Sequence, residues 1–340
     1  MNHMAKDVIS VVIPNLNGAH YLSPCLSSVF AQELLHTELE VIVVDNGSSD
    51  ESVEIVRARF PQAKILRNEA NVGFTRAINQ GIEAAHGHWL LLLNNDTVMG
   101  EKALATLLAA LKSGEADLAG AQPLMVCAKD SGILDSAGIS LTPHFRAQDA
   151  LQGHPLAEAP TEMMEIWGTC FGCALLKRCV FEQCGYLDAD FFAEWDDVEF
   201  SLRARWHGWR FLLVPAARVF HHRSPTSLQK PDAKFVRRRR NQILTYAKGL
   251  PFFMAISLTL YRFQRDFFMA AHFIRHGQFG SMLRSWREYF ALLPRMIVRR
   301  RQLRATATMS SREIRRQLHR FMVEGTRRIE LGMQEPRISA

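Results

Sequence analysis

The stretch that most constrains the fold is His88–Thr97, HWLLLLNNDT. Trp89 to Leu93 are apolar without alternation, the pattern of a strand buried on both faces, as in a parallel sheet. Asn94-Asn95-Asp96 falls where that strand leaves the sheet, and open α/β sheets bind ligands at the carboxyl ends of their strands. Asp96 is therefore placed to hold a divalent cation such as Mg²⁺ against phosphate oxygens. The alternative is an acid that only caps a helix beginning near Gly100.

The preceding residues repeat one unit. Val8–Pro14 is a β-branched strand, Asn15–Gly18 a turn, and a helical pattern runs to about Gln32. Glu40–Asp45 is a second strand, followed by a turn and a helix to about Phe60. Lys64–Arg67 is a short third strand before a helix from Gly73 to Ala85. Right-handed crossovers make this a parallel, doubly wound sheet. Neither G-x-G-x-x-G nor a Walker lysine is present, so dinucleotide and P-loop binding are unsupported. Asp45, at a strand tip, either accepts a hydrogen bond from a base or ribose or caps its loop. Arg76 and Asn79 share a helix face that either meets a diphosphate or is solvated.

Further on, a helix over 100–113 and a strand over 117–125 precede a less regular region, 127–165. Arg178–Cys184 reads as a short helix and Trp209–Val214 as a strand. Between them Glu194, Asp196, Asp197 and Glu199 are interleaved with aromatics. Acids at a helix start suit the macrodipole. A partly desolvated carboxylate equally suits a general base. His221 and His222 end a strand pattern, so one of them faces the same side as its ligands, as a metal ligand or a structural histidine.

Charge divides the chain. Residues 1–233 hold 18 Lys+Arg and 28 Asp+Glu, whereas residues 234–340 hold 23 and 6. The basic part carries amphipathic patterns, one through Phe263, Phe267, Ala271 and Ile274, another through Ile314, Leu318, Phe321 and Met322. Such helices suit an anionic membrane surface or pack on the rest of the chain. Nucleic acid is not expected, because no recognition motif accompanies the charge. Met1–Asp7 leads straight into a strand pattern, so no signal peptide is expected, and Gly249–Tyr261 is too short to span a bilayer. The six cysteines are then expected as reduced thiols, and the apolar setting of Cys170 and Cys173 disfavours zinc.

Several blocks, in order, resemble family 2 of the inverting nucleotide-sugar glycosyltransferases: VVIPNLNG, VVDNGSSDES, NEANVGFTRAINQGI, LLLLNNDT, FGCALLKR, CGYLDADFFAEWDDVEFSLRARWHGWR and VFHHRSPTS. LLNND is similar to the bacterial rhamnosyltransferase-like branch. The resemblance implies the GT-A fold, a Rossmann-like, mostly parallel sheet flanked by helices, with the basic helical region appended. It implies a catalytic domain over 1–233, with a nucleotide-sugar part to about 115 and an acceptor part from about 116, and a helical region over 234–340. Pro14, Asn15, Asn17 and Asp45 would lie along the nucleotide, with Asn71, Gly73, Arg76 and Asn79 forming the next segment and Asn95 beside them. Asn94-Asn95-Asp96 stands at the D-x-D motif with Asn94 in place of its first acid, leaving Asp96 and His221 as ligands for Mg²⁺ or Mn²⁺. Asp197 takes the catalytic base position and Asp196 the acid before it. The implied reaction moves a sugar from a dTDP- or UDP-sugar to a glycan or lipid-linked acceptor in cell-surface polysaccharide synthesis, in the cytoplasm at the inner leaflet. The competing readings are a nucleotidyltransferase, which would need a Gly-rich basic first loop, and a non-catalytic nucleotide-sugar or membrane binder.

Overall fold

The computed structural model describes residues 7–223 and 231–330. The three strand–helix units form β1 (Asp7–Asn15), α1 (Ala19–Phe30), β2 (Thr37–Asp45), α2 (Ser52–Arg59), β3 (Lys64–Arg67) and α3 (Phe74–Ala84), followed by β4 (Trp89–Leu93). β1 pairs in parallel with both β2 and β4, and β2 with β3. The run in β4 lacks alternation because both of its faces are covered. Leu91 and Leu93 pack with Leu22 and Leu26 of α1, while Leu90 and Leu92 pack with Ile78 and Ile82 of α3.

Next come β5 (Thr97–Met99), α4 (Ala103–Ser113), β6 (Leu118–Cys127), β7 (Leu134–Ser136), β8 (Ile139–Leu141), β9 (Ala147–Asp149), β10 (Met164–Ile166), β11 (Cys173–Lys177), α5 (Arg178–Cys184), α6 (Asp196–Trp206) and β12 (Arg210–His221). The main sheet runs β10-β12-β6-β11-β4-β1-β2-β3. β11 is antiparallel to both β4 and β6, and beyond it β6 and β12 run parallel. The parallel strands β3-β2-β1-β4 and the parallel pair β6-β12 are thus joined by the reversed strand β11, and β10 adds an antiparallel edge beyond β12. The region 127–165 holds short strands of three residues each, too short to show any periodicity in sequence.

The basic region forms α7 (Pro231–Gly249), α8 (Phe252–Phe268), α9 (Ala270–Arg275), α10 (Phe279–Thr306) and α11 (Ser311–Glu330). These helices share a core with the sheet domain, in which Phe145, Trp167 and Trp206 pack with Leu244, Trp286 and Leu318. The stripe Ile314, Leu318, Phe321 and Met322 is buried there, with Phe321 against Trp167 at 5.6 Å, so it is core and not a membrane face. An ion cluster crosses the same boundary. Lys248 of α7 reaches Asp188 at 2.8 Å and Glu199 of α6 at 2.7 Å, Arg203 binds Glu199 at 2.8 Å, and Arg299 of α10 binds Asp188. Each of these buried charges therefore has an opposite partner. Among the described residues no helix is long and apolar enough to cross a membrane.

Candidate active site

A cavity of about 660 Å³ opens at the carboxyl ends of β1 and β4. One wall carries Pro14, Asn15, Asn46, Asn71, Asn95 and Asp96, and the facing wall Asp149, Asp196, Asp197, His221 and Arg223. Sequence positions from both halves of the sheet domain thus meet in one space.

The first wall is a lattice of amides. Asn15 Nδ2 donates to Asp45 Oδ1 at 3.1 Å and to Ser48 Oγ at 3.2 Å, and Asn95 Nδ2 donates to Asn15 Oδ1 at 2.7 Å. Gly18 permits that pair, since a Cβ there would lie 2.1 Å from Asn95 Nδ2. Asp45 is fully buried behind the wall, where its carboxylate also accepts from the Ser48 amide at 3.2 Å. It holds Asn15 and its own loop and does not line the cavity. Asn17, with φ 51°, accepts from the Ser49 amide at 2.8 Å and joins the two strand-end loops. Asn46, read in the sequence only as part of a turn, is a hub: its Nδ2 donates to Asn71 Oδ1 at 3.0 Å and its Oδ1 accepts from the Val72 amide at 3.0 Å.

Gly73, Arg76 and Asn79 lie outside the cavity lining. Gly73 has φ +95°, and a Cβ there would lie 2.7 Å from the Phe192 ring, so it lets α3 meet the loop of the facing wall. Asn79 clips that loop, donating to Leu187 O at 2.8 Å and accepting from Leu187 N at 2.9 Å. Arg76 is exposed.

The second wall is delivered by β12. Its register against β6 slips between Val214 and Arg218, and the strand then pairs antiparallel with β5. That pairing sets Thr97 opposite His221 and places His221 Nε2 3.2 Å from Asp96 Oδ1, although 125 residues separate them. β5 also lies between Asp96 and α4, so Asp96 does not cap that helix. His221 Nδ1 is 2.8 Å from Asp135 Oδ2 on β7, and Arg223 pairs with both Asp135 and Asp149. Burial alone would lower the His221 pKa, but its contacts with Asp135 and Asp96 lift it to about 9. His222 turns away, its ring 5.2 Å from that of Tyr21. Neither Asp135 nor Asp149 could be singled out in advance, because each is a lone acid in the region without periodicity. All six cysteines are free thiols.

The loop before α6 completes the wall. Phe192, Glu194 and Trp195 have φ of 66°, 72° and 68°, a left-handed run that is costly for side chains of this size. The run is held from α7. Asn241 Nδ2 lies 3.0, 2.8 and 2.7 Å from the carbonyl oxygens of Phe191, Ala193 and Glu194, and Arg240 Nη2 donates to Asp190 O and Phe191 O. α6 then starts with Asp196 and Asp197. Burial and neighbouring acids raise both carboxyls above the usual range: Asp197 by burial and the adjacent Asp196, Asp196 by burial and the charges of Glu194 and Glu199. Val198 N donates to Asp197 Oδ1 at 2.8 Å, but among the described residues no cation pairs with Asp197 in the way Arg203 and Lys248 pair with Glu199. The four acids of this cluster thus divide into a paired structural one, Glu199, a second paired one, Glu194, which meets Lys234 at 3.5 Å on the cavity rim, and a cavity pair with strengthened basicity, Asp196 and Asp197.

Comparison with known proteins gives the context. A curated N-acetylglucosaminyl-diphospho-decaprenol L-rhamnosyltransferase of Mycobacterium tuberculosis is 26% identical over 245 residues, 65% of this chain and 79% of that protein. Glycosyltransferase GlyG of Streptococcus pneumoniae is 32% identical over 116 residues, and the match spans 33% of this chain and only 38% of that relative. Among solved structures, S. aureus TarS 1-349 in complex with UDP superposes with TM-score 0.55 at 15% identity, over 98% of this chain and 94% of that one. GalNAc-T7 with UDP, GalNAc and Mn²⁺ gives TM-score 0.59 at 20% identity, over 72% of this chain and 48% of that chain. These likenesses in structure show the fold. The family profile described as "Glycosyl transferase family 2" matches residues 10–185, the part of the chain that builds the amide wall, Asp96 and Asp135, and on this match the chain belongs to glycosyl transferase family 2.

Proposed function

We propose that the chain is an inverting glycosyltransferase that moves a sugar from a dTDP- or UDP-sugar to a hydroxyl of a glycan or lipid-linked acceptor, in bacterial cell-surface polysaccharide synthesis. The observation that carries this reading is the presence of Asp197, half-buried and without a cationic partner among the described residues, in the same cavity as the amide wall and Asp96. The nucleotide lies along Pro14, Asn15 and Asn95, with Asn71 beyond them. Asn17, Asp45, Gly73 and Asn79 act from behind, fixing the loops that shape the pocket, and exposed Arg76 meets the donor only if the donor extends past the lining.

The acceptor hydroxyl is a poor nucleophile until its proton leaves. Asp197 takes that proton as attack proceeds, and a raised pKa makes it the stronger base. Asp196 keeps the pKa of Asp197 high through like-charge repulsion. One base and in-line displacement invert the anomeric centre, and no second carboxylate is assigned as a nucleophile. Asp96 and His221 suit Mg²⁺ or Mn²⁺: a carboxylate and an imidazole converge at 3.2 Å, and Asp135 orients the imidazole from its other nitrogen. Among the described residues no group of three His, Cys, Asp or Glu is arranged to hold a metal ion, so an ion at Asp96 and His221 would need diphosphate oxygens and water to complete its coordination. Such an ion, when bound, neutralises the charge of the diphosphate leaving group. The crystallised relatives with UDP and Mn²⁺, and with GDP-Man and Mn²⁺, support this assignment.

The name of the mycobacterial relative gives a lipid-linked acceptor and a rhamnose donor. That supports a lipid-linked acceptor here and a working place in the cytoplasm at the inner membrane surface, where the basic helices offer the charge for attachment. Nucleic acid is not a partner in this reading.

The test is thermal stability with UDP, dTDP, GDP and CMP, each with and without Mn²⁺. A ligand at a hundred times its dissociation constant adds about 2.7 kcal/mol to the folded state. A Mn²⁺-dependent shift with one nucleotide is expected. A folded protein that shifts with none of them overturns the reading.

A further inference from the structure

α8 is built the wrong way round for a helix in water. Its buried positions include Arg262 and Asp266. Arg262 donates to Gln242 at 2.9 Å, and Asp266 accepts from Trp286 Nε1 at 2.9 Å and pairs with Arg239. Its outward positions, Phe252, Phe253, Ile256, Leu260, Phe263 and Phe267, recur at helical spacing and are all exposed, Phe253 by 79% and Phe267 by 73%. α10 continues the face with Leu283, Phe290 and Ile297, seven residues apart and exposed. The two helices adjoin through Trp286, whose ring lies 5.6 Å from Phe263 and 6.0 Å from Phe290. A continuous apolar face of this kind is rare on a soluble monomer and marks an interaction surface.

We propose that this face of α8 and α10 docks into the headgroup–acyl boundary of an anionic lipid bilayer, laying the acceptor side of the cavity against the membrane. Charge selects the occupant. Residues 250–306 contain ten arginines and two acids. Both acids are engaged within the protein, Asp266 with Arg239 and Glu288 with Arg240 and Arg284. Arg275 and Arg287 are exposed on α9 and α10, whereas Arg295, though exposed, pairs with Asp190 at 3.1 Å. A second copy of the chain would bring this cationic rim against itself, whereas an anionic leaflet complements it. With no membrane-crossing helix among the described residues, the face lies on the bilayer and does not enter it as a span.

The position of the face gives it a purpose. Tyr261 of α8 stacks on His144 at 4.4 Å and 14°. His144 lies in the turn between β8 and β9, and the β9 residues Ala147, Gln148 and Asp149 line the cavity. Docking thus sets the β8–β9 hairpin, and the pocket behind it, beside the lipid surface, where a lipid-linked acceptor would present its hydroxyl. This last step rests on the glycosyltransferase reading above; the docking itself does not.

The experiment is co-sedimentation of the full chain with vesicles of phosphatidylcholine alone or with an equal part of phosphatidylglycerol. The wild type is expected to bind the mixed vesicles about tenfold more tightly or better. Phe253→Ser/Phe267→Ser is expected to lose about tenfold or more of that binding, and Arg275→Gln/Arg287→Gln to lose the preference for phosphatidylglycerol. All four side chains are exposed, so melting curves and nucleotide-induced stabilisation should stay as in the wild type. Absence of wild-type binding, or full binding by Phe253→Ser/Phe267→Ser, overturns the proposal. So does a wild-type dimer that these serines dissociate in a protein that binds no vesicle, which assigns the face to a second copy. Because vesicle binding is read without donor or acceptor, its failure leaves the transferase reading intact, and a missing nucleotide shift leaves the docking result intact.

Discussion

The two walls of the cavity are held in opposite ways. On the amide wall the polar side chains answer one another: Asn15 with Asp45, Asn95 with Asn15, Asn46 with Asn71. The base wall carries left-handed backbone at Phe192, Glu194 and Trp195 and two carboxyls, Asp196 buried and Asp197 half-buried, that resist ionisation. The first wall is shaped for binding before any ligand arrives. The second holds strained backbone and two carboxyls whose ionised form is disfavoured, and the cost of ionising them is relieved when a proton is taken up. A variant of the first wall should therefore change affinity, and a variant of the second should change rate.

The sharpest way to break this contrast is Asp197→Asn. Transfer should fall by about 10²–10⁴-fold while nucleotide binding, read by thermal shift, stays unchanged. The variant should also melt higher. A carboxyl whose pKa is raised by folding holds its proton more tightly in the native state, so stability declines as pH rises from the unfolded value toward the raised one. At neutral pH the charged form is therefore a cost, and the amide removes it, for an expected gain of about 2 °C or more. Wild-type turnover in this variant would remove Asp197 as the base.

Asp96→Ala probes the junction of the walls. Donor binding supported by Mn²⁺ should weaken by about a hundredfold, with metal-free binding little changed; equal binding in both conditions for wild type and variant would take Asp96 out of the site. Asn241→Ala loosens the base wall from behind. Leaving buried carbonyls unpaired costs about 1–3 kcal/mol, so kcat should fall about tenfold or more with the donor KM unchanged. A parallel rise in donor KM would show that Asn241 supports the whole cavity and not the loop alone. The smallest effect is expected from Asp196→Asn. Without its like-charged neighbour Asp197 ionises more easily, so the rising limb of the pH–rate profile should move to lower pH; an unmoved limb would mean that burial alone sets the pKa of Asp197.

The same division governs what could be read from sequence. The parallel half of the sheet was evident because β1, β2 and β4 carry apolar runs and, with the short β3, are separated by ordinary helices. The cavity pair Asp196 and Asp197, together with Asp96 and His221, stood out because each sits at the end of a strong pattern. Three things did not. β5 is three residues long, yet it turns Asp96 from a possible helix cap into the neighbour of His221. Asp135 and Asp149 lie in strands too short to have a period. Asn241 lies in the middle of a basic helix, and nothing local links it to a loop some fifty residues earlier, with a separation of 50 from Phe191. Asp45, Asn17 and Asn79 show the converse: local signals marked them, but their side chains hold the loops behind the pocket, and Gly73 acts there by lacking one.

The ion cluster of Asp188, Glu199, Arg203, Lys248 and Arg299 has a consequence for dissection of the protein. The family profile ends at residue 185, and the change in charge invites a cut near 233. A fragment ending there would keep two buried carboxylates and lose Lys248 and Arg299, their partners across the cut, along with the Asn241 amide. Modular exchange between relatives would thus have to move α6 and α7 together. The unit of inheritance visible in sequence profiles is smaller than the unit that can be transplanted with its chemistry intact.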